Sequence, residues 1–229
     1  TVPSIPGVRA TDWAAEAAHV AASEAFEYGL VSTDSSKAGA ATTYEVTGKV
    51  LWGQAKEEER LRVVDAFASN TVVTRVEMVN ALVSDAVAVA WGRVLEASTA
   101  LTALNLESNA IGTAGVEALA AGLRANSTLR ELKLANQAGN FTQAAEEAMA
   151  EALEHNLTLT RLTIDLRSTL ARSSIDKYLL RNQEHLRLQQ IPDSVREARA
   201  KAQRLEEERV KAEAAERDAE AARLAIRLE

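Results

Sequence analysis

The 229-residue chain is 47% hydrophobic and 26% charged, enough for one sizeable core with appendages, and it carries a formal charge of -7. The charge and the lack of clustered Lys and Arg argue against nucleic acid as a partner, and the absence of cysteine excludes a disulfide framework and a thiolate metal site. No apolar run approaches the roughly 18 residues that cross a bilayer, so no membrane span is expected.

Thr1 stands where an initiator Met would, which fits processing and truncation alike. Residues 1–10, with Pro3, Pro6 and Gly7, have no periodicity and are expected to form an extended arm. Thr11 or Asp12 can cap a helix through Trp13, Ala17, Val20 and Ala21 toward Phe26 and Leu30; its Trp either docks on the body of the protein or meets a partner. Residues 31–43 are polar and predict a linker. Tyr44, Val46, Val50 and Trp52 alternate, which predicts a strand, and Leu61, Val64, Phe67 and Ala68 share one helical face. Together residues 44–70 form an expected N-terminal capping unit.

From Thr71 to Leu166 the chain repeats itself. Val73-Thr-Arg-Val76-Glu-Met78, Leu101-Thr-Ala-Leu104-Asn-Leu106, Leu129-Arg-Glu-Leu132-Lys-Leu134 and Leu159-Thr-Arg-Leu162-Thr-Ile164 each state L-x-x-L-x-L, with starts 28, 28 and 30 residues apart. A polar turn precedes each block and an apolar helix follows it. This period predicts an α/β leucine-rich-repeat solenoid, with parallel strands on the concave face and helices on the convex face. No unit buries its apolar face alone, so the copies must share one core. Expected inward residues are Val87, Ala90, Trp91, Val94 and Leu95 in one helix, Val116, Leu119 and Leu123 in the next, and Ala145, Ala148, Met149, Ala152 and Leu153 in the third. Asn109 sits where a side-chain amide satisfies backbone groups of the neighbouring loop, a structural task. Sequons occur at Asn126, Asn140 and Asn156; Asn126 and Asn156 fall at the same phase of the repeat, where a polar turn before a strand explains them.

Ser173 to Gln190, with Ile175, Tyr178, Leu179 and Leu186, predicts a helix that closes the last repeat, and Pro192 ends it. Beyond it a charged helix is expected, supported by the pairs Glu197–Lys201, Glu207–Lys211 and Glu213–Arg217. Arg209, Glu216 and Arg223 interrupt the best heptad seam, so a solvated rod is favoured over a coiled coil. The expected organisation is an arm, helix and linker over 1–43, the repeat domain with cap and closing helix over 44–190, and the extended charged helix over 191–229.

Catalysis is not expected. His19, His155 and His185 fall in different elements, and no phosphate loop, dinucleotide fingerprint, nucleophile elbow or calcium loop occurs, so no cofactor, metal or small-molecule substrate is implied. What a solenoid offers is its strand face. The outward positions are Arg75, Glu77 and Val79, then Ala103, Asn105 and Glu107, then Glu131, Lys133 and Ala135, then Arg161, Thr163 and Asp165. Mixed charges and small side chains suit protein binding, and the arm and terminal helix offer further reach.

The strand-plus-helix period resembles the ribonuclease-inhibitor type of leucine-rich repeat. Three stretches resemble the C-terminal domain of the tropomodulin family: Thr99-Ala-Leu-Thr-Ala-Leu-Asn-Leu106-Glu-Ser-Asn109-Ala-Ile111 with Gly112 and Gly115; the expanded unit opening at Leu134-Ala-Asn136-Gln137; and the closing Leu180-Arg181-Asn182-Gln-Glu184-His-Leu186-Arg187. Tropomodulins cap the pointed end of actin filaments, and this domain supplies one of their two actin-binding surfaces. The resemblance therefore implies an actin contact near Glu107 and Lys133 and through Arg181 and Arg187, and an intracellular, cytoskeletal setting, with an organelle or cilium assembly as the other. The family's N-terminal half is not recognisable in residues 1–43, and the charged rod is an addition. Two functions follow: a non-catalytic scaffold or structural subunit of a larger assembly, or an actin pointed-end binder.

Overall fold

The apolar residue at the fourth place of each repeat block lines up the sheet. The computed structural model describes residues 31–33, 42–45, 52, 55–192, 195, 198 and 200–214. Val76, Leu104, Leu132 and Leu162 stand side by side on neighbouring parallel strands. Among the described residues six strands follow one another in sequence order: β1 (Val31–Thr33), β2 (Thr42–Glu45), β3 (Val73–Glu77), β4 (Ala103–Asn105), β5 (Glu131–Lys133) and β6 (Arg161–Thr163). β1 runs antiparallel to β2, and all later neighbours are parallel. The helices are α1 (Glu57–Ala66), α2 (Asp85–Ala97), α3 (Thr113–Ala125), α4 (Gln143–His155) and α5 (Thr169–Gln189).

The strands are short because only the middle of each block needs to be extended, while its apolar residues turn toward the helices. Leu101, Leu104 and Leu106 are all buried, as are Leu129, Leu132 and Leu134. Each such leucine withdrawn from water contributes about 1.5–3 kcal/mol, which offsets the ordering of a segment too short to hold itself. Of the expected helix faces, Val87, Ala90, Trp91, Val94 and Leu95 are fully buried, as are Val116, Leu119, Leu123, Ala145, Met149 and Leu153, with Ala152 buried and Ala148 half-buried.

Helices α2 and α3 touch through glycine. A Cβ built on Gly122 would lie 2.1 Å from the Gly92 carbonyl oxygen, and one on Gly92 would lie 2.4 Å from that of Ala118. Backbones this close admit no side chain between them.

The N-terminal side of the domain differs from expectation. Residues 31–43 do not act as a linker throughout, since β1 and the start of β2 lie within them. Val31, Thr33, Thr42 and Thr43 are β-branched and favour extended backbone, so this mostly polar stretch supplies strands at the end of the sheet. Tyr44, not a residue 28 before Val76, pairs with Val76, and the register slips between Thr42 and Thr43. That spacing is longer than the 28 to 30 residues between the later blocks. Trp52 is helical and buried rather than part of the strand. Of the face expected around α1, Val64 and Phe67 are buried and are joined by Val63, while Leu61 and Ala68 are half-buried. Phe67 then joins the units: its ring lies 5.1 Å from Tyr44, edge to face, and 5.3 Å from Trp91. The arm and helix expected over residues 1–30, with Val46, Gly48 and Val50, lie outside the described residues.

Two compact units make up the chain, Thr1–Glu184 and His185–Glu229. In the first, α5 lays Ala171 and Ile175 on the core left open by the last repeat, with Tyr178 and Leu179 half-buried beside them. In the second, α5 stops at Gln189, just before Pro192, and residues 200–214 are helical with every side chain exposed. Arg209 there meets Glu206 at 2.6 Å and Glu213 at 3.0 Å, and its bond to Glu206 raises its pKa. Glu207 and Lys211 form no ion pair, and the other two expected pairs each include a residue outside the described ones.

Candidate protein-binding face

Parallel register turns the outward strand positions into rows. Arg75, Ala103, Glu131 and Arg161 form one row, and Glu77, Asn105, Lys133 and Thr163 form the next. Adjacent strands are about 4.8 Å apart, so residues two strands apart meet only if the one between is small. Ala103 is that residue. Over it Arg75 reaches Glu131 at 3.3 Å, while its other nitrogen holds Glu77 at 3.2 Å. Lys133 stands 3.9 Å from the same Glu131.

This network decides which candidate residues are available. Asn105 is buried rather than presented: its Nδ2 donates to Glu77 at 2.6 Å and its Oδ1 accepts from the Glu107 N–H at 3.0 Å. Ala103 and Ala135 are buried as well, covered by longer neighbours. Arg161 and Asp165 are exposed and Glu107 half-exposed. Asp165 accepts from the Asn136 N–H at 2.7 Å, whereas the Arg161 side chain has no hydrogen bond or ion pair among the described residues.

Arg181 has a different task from the one its position suggested. Its guanidinium donates to the carbonyls of Leu153, Glu154 and Asn156 at 2.8–2.9 Å and lies 5.0 Å from the Tyr178 ring. The last carbonyls of α4 have no partner within their helix, so a cation there satisfies them and complements the dipole. Arg187 is exposed and belongs to the second unit.

The loops leading from strands to helices add residues that pattern reading missed. Asn80, Leu82, Ser108 and Asn136 have φ between 53° and 59°. Asparagine tolerates this conformation; leucine does so at a cost of about 1–2 kcal/mol. Leu82 is nevertheless 52% exposed, and Val79 beside it 45%. Asn109 holds these loops in place. Its Oδ1 accepts from the N–H groups of Ala81 and Val83, and its Nδ2 donates to Met78 and Leu106. Gln137 repeats this one unit later, accepting from Ile111 and donating to Leu106. Nothing in the alternation of apolar residues marks Leu82, because the constraint comes from the neighbouring unit.

On the opposite edge, buried asparagines link unit to unit. Asn126 donates to Leu95 and accepts from Thr128 and Leu129; Asn156 donates to Leu123 and Asn126 and accepts from Thr158 and Leu159. Asn182, on α5, donates to Asn156 and Leu159, so the closing helix continues the ladder. Asn126 and Asn156 are therefore closed to glycosylation, whereas Asn140 is exposed and accepts from Arg167.

Among the described residues one charged side chain is buried. Glu146 accepts from the backbone N–H groups of Arg167 and Ser168 at 2.7–3.1 Å, just before α5 begins. A cavity of about 150 Å³ lies beside it, lined by Gln137, Asn140, Asp165 and Arg167 among others. The carboxylate is already used in fixing the chain there. Among the described residues no group of three or more His, Asp or Glu could hold a metal ion. No helix there is long and apolar enough to cross a membrane.

Similarity to known proteins agrees with this geometry. A family described as the TMOD/LMOD Leucine-rich domain matches residues 54–185. Leiomodin-2 of Rattus norvegicus is 30% identical over 132 residues, covering 58% of this chain and 24% of that protein. Leiomodin-1 of Homo sapiens is 31% identical over 144 residues, with 63% and 24% covered. The chain thus spans about a quarter of the length of these relatives. Among solved structures, one named Leiomodin-1 Actin-Binding Site 2 (ABS2) superposes with a TM-score of 0.65 at 25% identity, covering 83% of this chain and 98% of the other. The tropomodulin C-terminal domain of Caenorhabditis elegans superposes at 0.61 and 24% identity, covering 78% and 98%, and shares the fold. With over half of its length matched, this chain belongs to the tropomodulin and leiomodin family of leucine-rich domains.

Proposed function

We propose that the repeat domain binds actin, without catalysis, as a component of the cytoskeleton. The observation that carries this reading is the superposition on the Leiomodin-1 actin-binding site 2, of which this chain covers 98%. Of the two functions drawn from the sequence, actin binding fits the relatives better than the broader scaffold. The contact is assigned to the exposed end of the strand face, Arg161, Asp165 and Glu107, and to the loop edge at Val79 and Leu82. Charged groups at the rim would steer the encounter, and the two exposed apolar side chains would supply the desolvated centre.

A lone surface of this kind lacks the avidity of a protein that grips a filament at two sites. Binding in the micromolar range, about -8 kcal/mol, is therefore the expectation. Cosedimentation of the full chain with actin filaments, together with pointed-end elongation measured from barbed-end-capped seeds, tests this. Saturable binding that Arg161→Glu weakens supports the reading; no cosedimentation at tens of micromolar actin removes it. Slowed pointed-end growth would extend the function to capping.

A further inference from the structure

A groove runs along the outside of the first unit between α4 and the first half of α5. Its floor is Ala150 and Ala171, both buried. One wall carries Glu147, Glu151 and Glu154, the other Leu170, Ser174 and Tyr178, and the groove encloses about 390 Å³. The carboxylates recur at i, i+4 and i+7 on α4 and the opposite residues at i, i+4 and i+8 on α5, so both walls follow a helical repeat for about two turns. Alanines on the floor permit close approach, and Leu170 stands 74% exposed at the rim. An apolar floor beside one acidic wall suits an amphipathic helix whose apolar stripe is flanked on one side by Lys and Arg.

The helix over residues 200–214 has that pattern. Ala198, Ala202, Leu205 and Ala212 lie on one stripe, and Leu205 is 57% exposed. Lys201, Arg204 and Lys211 run along one flank, with Glu208 among them. Arg209 lies on the stripe itself, between Leu205 and Ala212, and pairs with Glu206 and Glu213. We propose that the groove of one copy of this chain receives the 200–214 helix of a second copy, giving a twofold dimer in which each copy provides a helix and a groove. Lys201 and Arg204 of one copy face the glutamate wall of the other, and Leu205 packs on the alanine floor beside Leu170. Glu151 now pairs with Arg124 at 2.9 Å and Glu147 accepts from Gln143 at 2.7 Å, both at the surface, where such contacts exchange at little cost. None of these residues belongs to the face assigned to actin, so the two readings fail separately.

Sedimentation velocity of the full chain over a concentration series tests the dimer. A reversible monomer–dimer equilibrium is expected. Leu170→Glu and Leu205→Glu, each at an exposed position, should raise the dissociation constant about tenfold or more, consistent with loss of a central apolar contact. Reversing the wall (Glu147→Lys with Glu151→Lys) or the helix (Lys201→Glu with Arg204→Glu) should weaken the dimer similarly, and combining both reversals in one chain should restore it. A monomer at every concentration, a dimer indifferent to these changes, or reversals whose combination fails to restore association overturns the proposal. Circular dichroism of each variant identifies any that fails to fold, and the exposed Leu170 and Leu205 changes then decide the matter.

Discussion

Arg75 and Glu131 stand two strands apart and meet at 3.3 Å because the residue between them in register is Ala103. A double-mutant cycle with Arg75→Ala and Glu131→Ala should return a coupling of about 0.2–1 kcal/mol, as for other partly exposed pairs. The coupling should shrink as salt is raised from low to physiological concentration and beyond. Urea denaturation at several ionic strengths measures it; a salt-independent value would mean the charges are not the source.

Asn156 bonds four backbone groups, two carbonyls of the preceding unit and two N–H groups of its own turn. Asn156→Ala leaves all four without that partner in a buried place. Unmade bonds of this type cost about 1–3 kcal/mol each, with partial relief by water, so a loss of about 3–5 kcal/mol is expected in denaturant unfolding. Thr158→Ala removes only a peripheral hydroxyl and should cost far less.

Gly122→Ala is a substitution that helix propensity alone would favour by about 1 kcal/mol. Here the new methyl would lie 2.1 Å from the Gly92 carbonyl oxygen. Overpacking of this kind costs about 1–3 kcal/mol, so the variant should melt at a lower temperature than the parent. A raised melting temperature would show that α2 and α3 can separate without penalty.

Leu82→Asn should separate stability from binding. Its φ of 54° suits asparagine better, so thermal unfolding should stay level or rise. Actin affinity in cosedimentation should fall, since an exposed apolar contact is lost. Unchanged affinity would remove the loop edge from the proposed surface.

Glu146→Ala should loosen the start of α5, because the N–H groups of Arg167 and Ser168 lose their acceptor. Hydrogen exchange should accelerate in residues 167–175 more than in β4 or β5. Uniform acceleration would instead indicate that the closing helix and the repeats open as one cooperative unit.

The residues themselves determined the repeating core. L-x-x-L-x-L puts three apolar side chains on one side of a short strand, and a period near 28 leaves no other way to cover them than the next copy. That made the parallel strands, the helix faces, the closing helix and the tropomodulin-like character legible. Tertiary structure alone decided which outward residues remain outward. Asn105 and Arg181 look available in one dimension, yet neighbours 25 to 28 residues away occupy them. Likewise Leu82 is displayed in a left-handed turn because Asn109, of the following unit, holds the N–H groups on either side of it. Burial of a leucine follows from its own chemistry and spacing, whereas the exposure of a polar group depends on which partner the stacking of units brings within hydrogen-bond reach.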